Sequence, residues 1–147
     1  AHSHEGKLMG LAAYGTPDLR ILEGIAKITS TGYSFEKNWS HKLRKKFKKR
    51  NSGDLSTLHK DLAATAQKFL EDAIIQISKK LYKIYKINNI CLAGGVALNC
   101  DMNTKILEKT DINTVFIQPA ANDAGVSLGS ALEYDYRIHK IKSKNDW

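Results

Sequence analysis

Cysteine is scarce in this chain: Cys91 and Cys100, nine positions apart, are the only two among 147 residues. Without a CxxC pair or an even-numbered framework, the disulfide-stapled secreted scaffolds are excluded and a reducing, cytosolic setting is favoured. Long apolar runs are also missing, since none approaches the ~18 residues that cross a bilayer, and the opening AHSHEGK does not read as a signal peptide. The expectation is a soluble, cytoplasmic protein with no membrane partner. No G-x-x-x-x-G-K-[ST] phosphate loop is present. No repeat, low-complexity tract or interdomain linker interrupts the chain, and its length suffices for one core of ordinary size.

Charge is not scarce, but it is uneven. The formal net charge is +8, and the run His41 to Arg50, HKLRKKFKKR, holds seven of the 23 Lys and Arg. Outside it, 16 basic residues face 15 acidic ones. The basicity is therefore regional. Leu43 and Phe47 interleave the run, so it can track a phosphate backbone, or it is a solvated helix face; nucleic acid is the less favoured partner.

Residues 4–15, HEGKLMGLAAYG followed by TP, predict a short helix stopped by glycine and proline. GIAKITSTGYSFEK, Gly24 to Lys37, predicts a β-hairpin bending around Thr31 and Gly32. Asp54 or Ser56 is placed to cap the helix that follows. Leu62, Ala66, Phe69, Leu70, Ala73, Ile77, Leu81 and Ile84 recur at steps of three and four, giving one apolar face on a helix from Asp61 to Tyr85, about 37 Å long. ICLA, Ile90 to Ala93, and VFIQP, Val115 to Pro119, have the unbroken apolar character of parallel strands covered on both faces. Helices are expected over about Leu98 to Lys109 and Ala124 to His139, and the tail 141–147 is expected to fray. This order is that of an α/β fold, in which ligands collect beyond the carboxyl ends of the strands. Two buried strands and a hairpin make too small a sheet for so long a helix. Sheet neighbours are accordingly expected outside this chain, which reads as a fragment.

Each strand end carries residues suited to an anion or nucleotide. In LAGGVALN, Gly94 and Gly95 can let a phosphate approach backbone N–H groups at a helix start, or they simply make a tight turn. Asp123, in QPAANDAG, is either an N-cap or a hard oxygen ligand for a divalent metal, which needs partners from elsewhere. His2 and His4 qualify as such partners by type only. Glu5 and Lys7, flanking Gly6, either contact ribose hydroxyls or a carbonyl, or form a solvated helix start. Cys91, inside a strand expected to be buried, reads as a small hydrophobe rather than a nucleophile.

Three blocks, HEGKLMGLAAYG, LAGGVALNCDMNTKI and FIQPAANDAGVSLGSAL, together resemble the signature segments of the carbamoyltransferases that modify nodulation factors, cephalosporins and aminoglycosides. The resemblance runs from about His4 to Tyr136 and leaves the basic run and the tail unmatched. It implies a lobe of the actin-like ATPase (ribonuclease H-like) fold over residues 1–140, with a mixed sheet flanked by helices and a β-hairpin. That lobe would be the second of its domain, similar to the transferase that makes threonylcarbamoyl-adenosine in tRNA. The implied activity is transfer of a carbamoyl group to a hydroxyl of a sugar-like or small-molecule acceptor. Its donor would be carbamoyl-adenylate, made from carbamoyl phosphate and ATP by an adenylate-forming domain. Carried over by motif, Asp123 would bind a divalent metal such as iron, with magnesium accompanying ATP. Gly94, Gly95, Val96 and Asn99 would line the nucleotide, and Glu5, Lys7 and Asn122 would border the same cleft. No general base is assigned. The family's early histidine pair and its first lobe lie outside this chain, so the isolated fragment is expected to be inactive. Two other readings are a non-catalytic nucleotide or nucleic-acid binding module that uses the basic run, and a sugar-kinase-like lobe of the same superfamily.

Overall fold

The computed structural model describes residues 4–47 and 53–139 of the chain. Helix α1, Glu5–Ala12, is followed by a 3-10 turn at Leu19–Leu22 and by a hairpin of β1, Ala26–Thr29, and β2, Gly32–Phe35. Then come α2, Trp39–Lys46, the long α3, Thr57–Tyr85, and β3, Asn89–Leu92. A second 3-10 turn at Gly95–Leu98 leads to α4, Cys100–Lys109, β4, Thr114–Ile117, and α5, Gly125–His139. The architecture is mixed α/β, and the chain divides into two compact units, residues 1–90 with 99–115 and residues 91–98 with 116–147.

In the first unit α3 is the spine, and it packs against α1, α4, the first 3-10 turn and both hairpin strands. It begins four residues earlier than the apolar periodicity predicts, because Ser56 starts it with a reciprocal cap. The Ser56 N–H donates to Nδ1 of His59 at 3.2 Å, and the Ser56 hydroxyl lies 2.7 Å from the same nitrogen. Free N–H groups in the first turn make such a cap worth roughly 1 kcal/mol.

The predicted stripe is buried at Ala73 and half-buried at Leu62, Ala66, Phe69, Leu70 and Ile77, but the most buried positions of α3 lie beside it and its C-terminal end is exposed. Ala63, Ala64, Thr65, Gln67, Ala73 and Ser78 are buried, whereas Leu81 and Ile84 of the predicted apolar stripe are exposed. The cause is close approach. A Cβ at Gly15 would lie 2.1 Å from the carbonyl oxygen of Lys60, so the end of α1 sits directly on the α3 backbone, where small side chains face it. Polar ties hold this seam: the Thr16 N–H donates to Asp61 Oδ1 at 2.8 Å and the Asp18 N–H to Thr65 Oγ1 at 2.9 Å. On α4, Met102 and Ile106 complete the core with Ile25 and Ile112.

The hairpin pairs antiparallel with Ile28 opposite Tyr33, and Gly32 takes φ of +134° at the bend, as predicted. Its aromatic residues meet α2 and α3, with Phe35 4.9 Å from Trp39 and Tyr33 6.3 Å from Phe69 between ring centroids. The basic run begins as α2. There Lys42 Nζ donates to the carbonyl of Gly24 at 3.0 Å and Lys46 Nζ to that of Ile21 at 2.8 Å. These two lysines satisfy carbonyls of the preceding 3-10 and hairpin segment; residues 48–50 of the run lie outside the described residues, as does the tail.

Strands β3 and β4 are neighbours in one two-stranded sheet. Asn113 donates to Asn88 at their starts and Gly94 to Ala121 beyond their ends, so the strands run in the same direction. The expectation that both are covered on two faces is corrected. Each alternates exposed and half-buried residues, with Phe116 50% exposed, because a two-stranded sheet is covered on one face only. Cys91 is likewise exposed rather than buried, since the alternation turns it outward. No helix among the described residues is long and apolar enough to cross a membrane.

Candidate functional site

Parallel strands joined through a helix deliver their carboxyl ends side by side, and in the second unit this brings two of the motif loops together. The loop after β3 is tied to the loop after β4 by the Gly94 N–H donating to the carbonyl of Ala121 at 2.8 Å. Gly94 needs to be glycine, because its φ is +95°. Its carbonyl then accepts from the Ala97 N–H at 3.0 Å, which closes the turn. Gly94's own N–H is thus spent on the tie between the loops and is not free for a phosphate. The next two, on Gly95 and Val96, make no hydrogen bond among the described residues. No heavy atom lies within 4 Å of where a Cβ on Gly94 or Gly95 would stand, so the backbone is open to a ligand.

The second loop is wound on itself. The Ala120 N–H donates to the side chain of Gln118, the Ala124 N–H to Asn122 Oδ1 at 3.1 Å and the Gly125 N–H to the Asn122 carbonyl at 2.9 Å. Asn122, not Asp123, therefore supplies the side-chain oxygen at the start of α5. Asp123 contributes only its carbonyl, to the Val126 N–H at 3.2 Å. Its carboxylate is exposed and has no hydrogen bond or ion pair among the described residues. Of the two roles open to Asp123 from the sequence, the cap is taken by its neighbour.

The remaining candidate residues belong to the first unit. Asn99 caps α4, its Oδ1 accepting from the Met102 N–H at 2.9 Å. The same amide exchanges two hydrogen bonds with Gln67 of α3, Gln67 Nε2 to Asn99 Oδ1 at 3.0 Å and Asn99 Nδ2 to Gln67 Oε1 at 2.8 Å. Gln67 is 7% exposed and is a member of this cluster that the sequence did not point to; a partner 32 positions away leaves no local signal. Glu5 and Lys7 stand exposed in the first turns of α1, with no hydrogen bond or ion pair among the described residues. Glu5 suits the positive end of the helix, and the two side chains, two positions apart, do not face one another. His4 is exposed, and His2 lies outside the described residues.

The donor set does not fit a metal by itself. No group of three His, Cys, Asp or Glu that could hold an ion occurs among the described residues. One exposed carboxylate does not retain a transition metal in water.

Compared with known proteins, residues 1–132 match the family described as carbamoyltransferase N-terminus. The chain belongs to this family. It is 37% identical over 134 residues to the nodulation protein NolO of Bradyrhizobium diazoefficiens, covering 87% of this chain and 24% of that protein. With the nodulation protein NolNO of Sinorhizobium fredii it shares 35% identity over 133 residues, 87% of this chain and 20% of the relative. A more distant relative is the 3'-hydroxymethylcephem-O-carbamoyltransferase of Streptomyces clavuligerus, 28% identical over 134 residues, 87% of this chain and 24% of that enzyme. This carbamoyltransferase-family chain thus spans about a quarter of the length of the relatives it matches.

Proposed function

We propose that this chain is part of an ATP-dependent O-carbamoyltransferase. It would be the second lobe of an actin-like transferase domain whose other lobe and adenylate-forming domain lie elsewhere in the protein. The donor would be carbamoyl-adenylate, made from carbamoyl phosphate and ATP, and the acceptor a hydroxyl of a sugar-like or small molecule. Family membership supports carbamoyl transfer in general. The observation that carries the finer reading is the tie between the loops after β3 and β4. It sets the unbonded N–H groups of Gly95 and Val96 and the unengaged Asp123 carboxylate in one unit, on loops joined directly by a hydrogen bond.

The nucleotide fits what these loops offer. Its phosphates would lie against Gly94, Gly95 and Val96, where no Cβ obstructs the backbone and two N–H groups lack partners. Adenylation supplies a good leaving group on the carbamoyl carbon. The residues present orient that group by backbone donors and keep the approach open. Asn122 and Asn99 would border the cleft through backbone or exposed atoms, because their amides already serve α5 and α4. Glu5 and Lys7 are proposed for the ribose and carbonyl side. For a divalent metal such as iron, Asp123 would be one ligand and histidines outside this chain the others.

The test is made in the complete protein with carbamoyl phosphate, ATP and a panel of hydroxyl acceptors, following the carbamoylated product by mass spectrometry. Replacing Asp123 with Ala should abolish transfer and leave the melting temperature nearly unchanged, since Asn122 holds the start of α5. Full activity in that variant refutes the assignment of Asp123. Phosphate rather than carbamoyl on the acceptor would refute the reaction class.

A further inference from the structure

In the first unit, the hairpin turn meets the C-terminal half of α3. Ser30, Gln76, Lys79, Lys80, Lys83 and Ile84 line an open cleft of about 430 Å³. That volume is in the range of small-molecule sites. Five of the six residues are on α3, and Ser30 of the hairpin turn closes one side.

The charge here is uncompensated. No acidic residue occurs from Ala73 to Cys100, nor from Gly24 to Phe35, so neither wall of the cleft carries a carboxylate. The nearest acidic residues along α3 are engaged, Asp72 with Lys68 and Glu71 with Gln67. The side chains of Lys79, Lys80 and Lys83 make no hydrogen bond or ion pair among the described residues. Lys83 has a structural reason to be where it is, since a cation in the last turn of α3 favours the negative helix end. Lys79 and Lys80 stand further back and have none. Bringing three like charges to one cleft costs electrostatic energy that a bound polyanion would reverse. Ser30, exposed in the hairpin turn, adds a hydroxyl from the other element, and Gln76 adds an amide one turn before the lysines on α3.

We infer that this cleft binds a multivalent phosphate compound through Lys79, Lys80, Lys83, Ser30 and Gln76. All five residues belong to the first unit. Exposed lysines hold an anion through its charge, so the ligand should carry several phosphate charges rather than one. A free polyphosphate and the phosphate chain of a nucleotide share this chemistry.

The probe is sodium tripolyphosphate with the complete protein, read by lysine acetylation footprinting and mass spectrometry, which resolves this site from any other anion site. Lys79, Lys80 and Lys83 should become protected with a saturable dose dependence, while Lys45 of α2 and Lys109 of α4 stay reactive. Protection should need about tenfold more tripolyphosphate in the Lys79→Ala variant and should vanish as salt rises from about 0.1 M to about 1 M, where the screening length drops from ~10 to ~3 Å. Ser30→Ala should raise the required dose severalfold without changing the salt response. An ATP arm separates the sources: ATP protecting at lower dose than tripolyphosphate identifies a nucleotide, and equal doses identify the phosphate chain alone. Protection spread evenly over all surface lysines, or none at saturating probe, overturns the inference.

Discussion

The Asn99 to Gln67 pair offers the sharpest test, because the family resemblance assigns Asn99 to the ligand while the geometry engages its oxygen twice and its nitrogen once inside the first unit. Asn99→Ala removes three hydrogen bonds, one to the Met102 N–H and two to Gln67. Loss of the cap costs about 1 kcal/mol. Gln67 keeps Glu71 as an acceptor for its Nε2 at 2.8 Å, but its Oε1 loses its donor while 7% exposed. A buried acceptor left unsatisfied costs about 1–3 kcal/mol, so the sum is about 2–4 kcal/mol. Urea unfolding followed by far-ultraviolet circular dichroism measures it. A double-mutant cycle with Gln67→Ala isolates the pair, and a coupling of about 1 kcal/mol or more is expected between residues in direct contact. A stability loss under about 0.5 kcal/mol, the level of an uninvolved surface substitution, would refute the reasoning. So would a coupling of zero. Stability unchanged with nucleotide affinity lost would instead establish Asn99 as a ligand residue.

Gly15→Ala should destabilise by about 3 kcal/mol, since the new methyl group meets the backbone of α3, which has no rotamer to turn away. At about 2–4 °C per kcal/mol the melting temperature should fall by roughly 6–12 °C, and a fall under 2 °C would contradict the close approach of α1 to α3. Ser78→Ala should be neutral or stabilising by up to about 1 kcal/mol, because the buried Ser78 hydroxyl has no partner and alanine favours the helix; a loss on urea unfolding would show an unseen partner. Asp18 is held below its ordinary value of 3.8 by the side-chain hydrogen bond from Arg20, at 2.8 Å, and by the Arg20 N–H. A depressed folded value makes its contribution fully present above pH 3.8 and lost as pH falls through the folded value. Acid unfolding of Asp18→Asn should therefore show a shallower loss of stability below that pH than the parent, with parallel profiles refuting the link.

Elements were easier to read than faces. Caps, turn glycines and periodicity act over a few residues, so α1, the hairpin, α4 and α5 stand where local patterns predict. What failed depends on residues far apart. The apolar stripe of α3 extends to Leu81 and Ile84, yet burial is deepest at Ala63, Ala64 and Thr65, just after the turn at Lys60 and Asp61 that the Gly15 backbone approaches. Strand coverage departs from the expectation for a similar reason, since an apolar run states what a strand tolerates on its faces, not what lies there. The candidate site was legible as two loops, but not in its hydrogen bonds. Asn and Asp cap helices about equally well, so nothing in the string NDAG chooses between Asn122 and Asp123 for the start of α5.

That choice bears directly on function. Were Asp123 the cap, its carboxylate would be explained by α5 and would carry no inference about chemistry. With Asn122 in that place, an exposed carboxylate in the same turn gains only a helix-end interaction, about 0.3–1 kcal/mol. Gly94 poses the same question from the other loop. Its φ of +95° serves a turn whose N–H groups at Gly95 and Val96 end without partners, facing open space rather than packed atoms. Water can satisfy all of these groups, so folding does not require a ligand there. Stability alone therefore explains the tie between Gly94 and Ala121 but not the donors and the carboxylate it leaves free. Under the proposed function the free N–H groups would meet the anionic donor and the carboxylate would meet the cation that accompanies it, and the variants at Asp123 test this by moving activity without moving the fold.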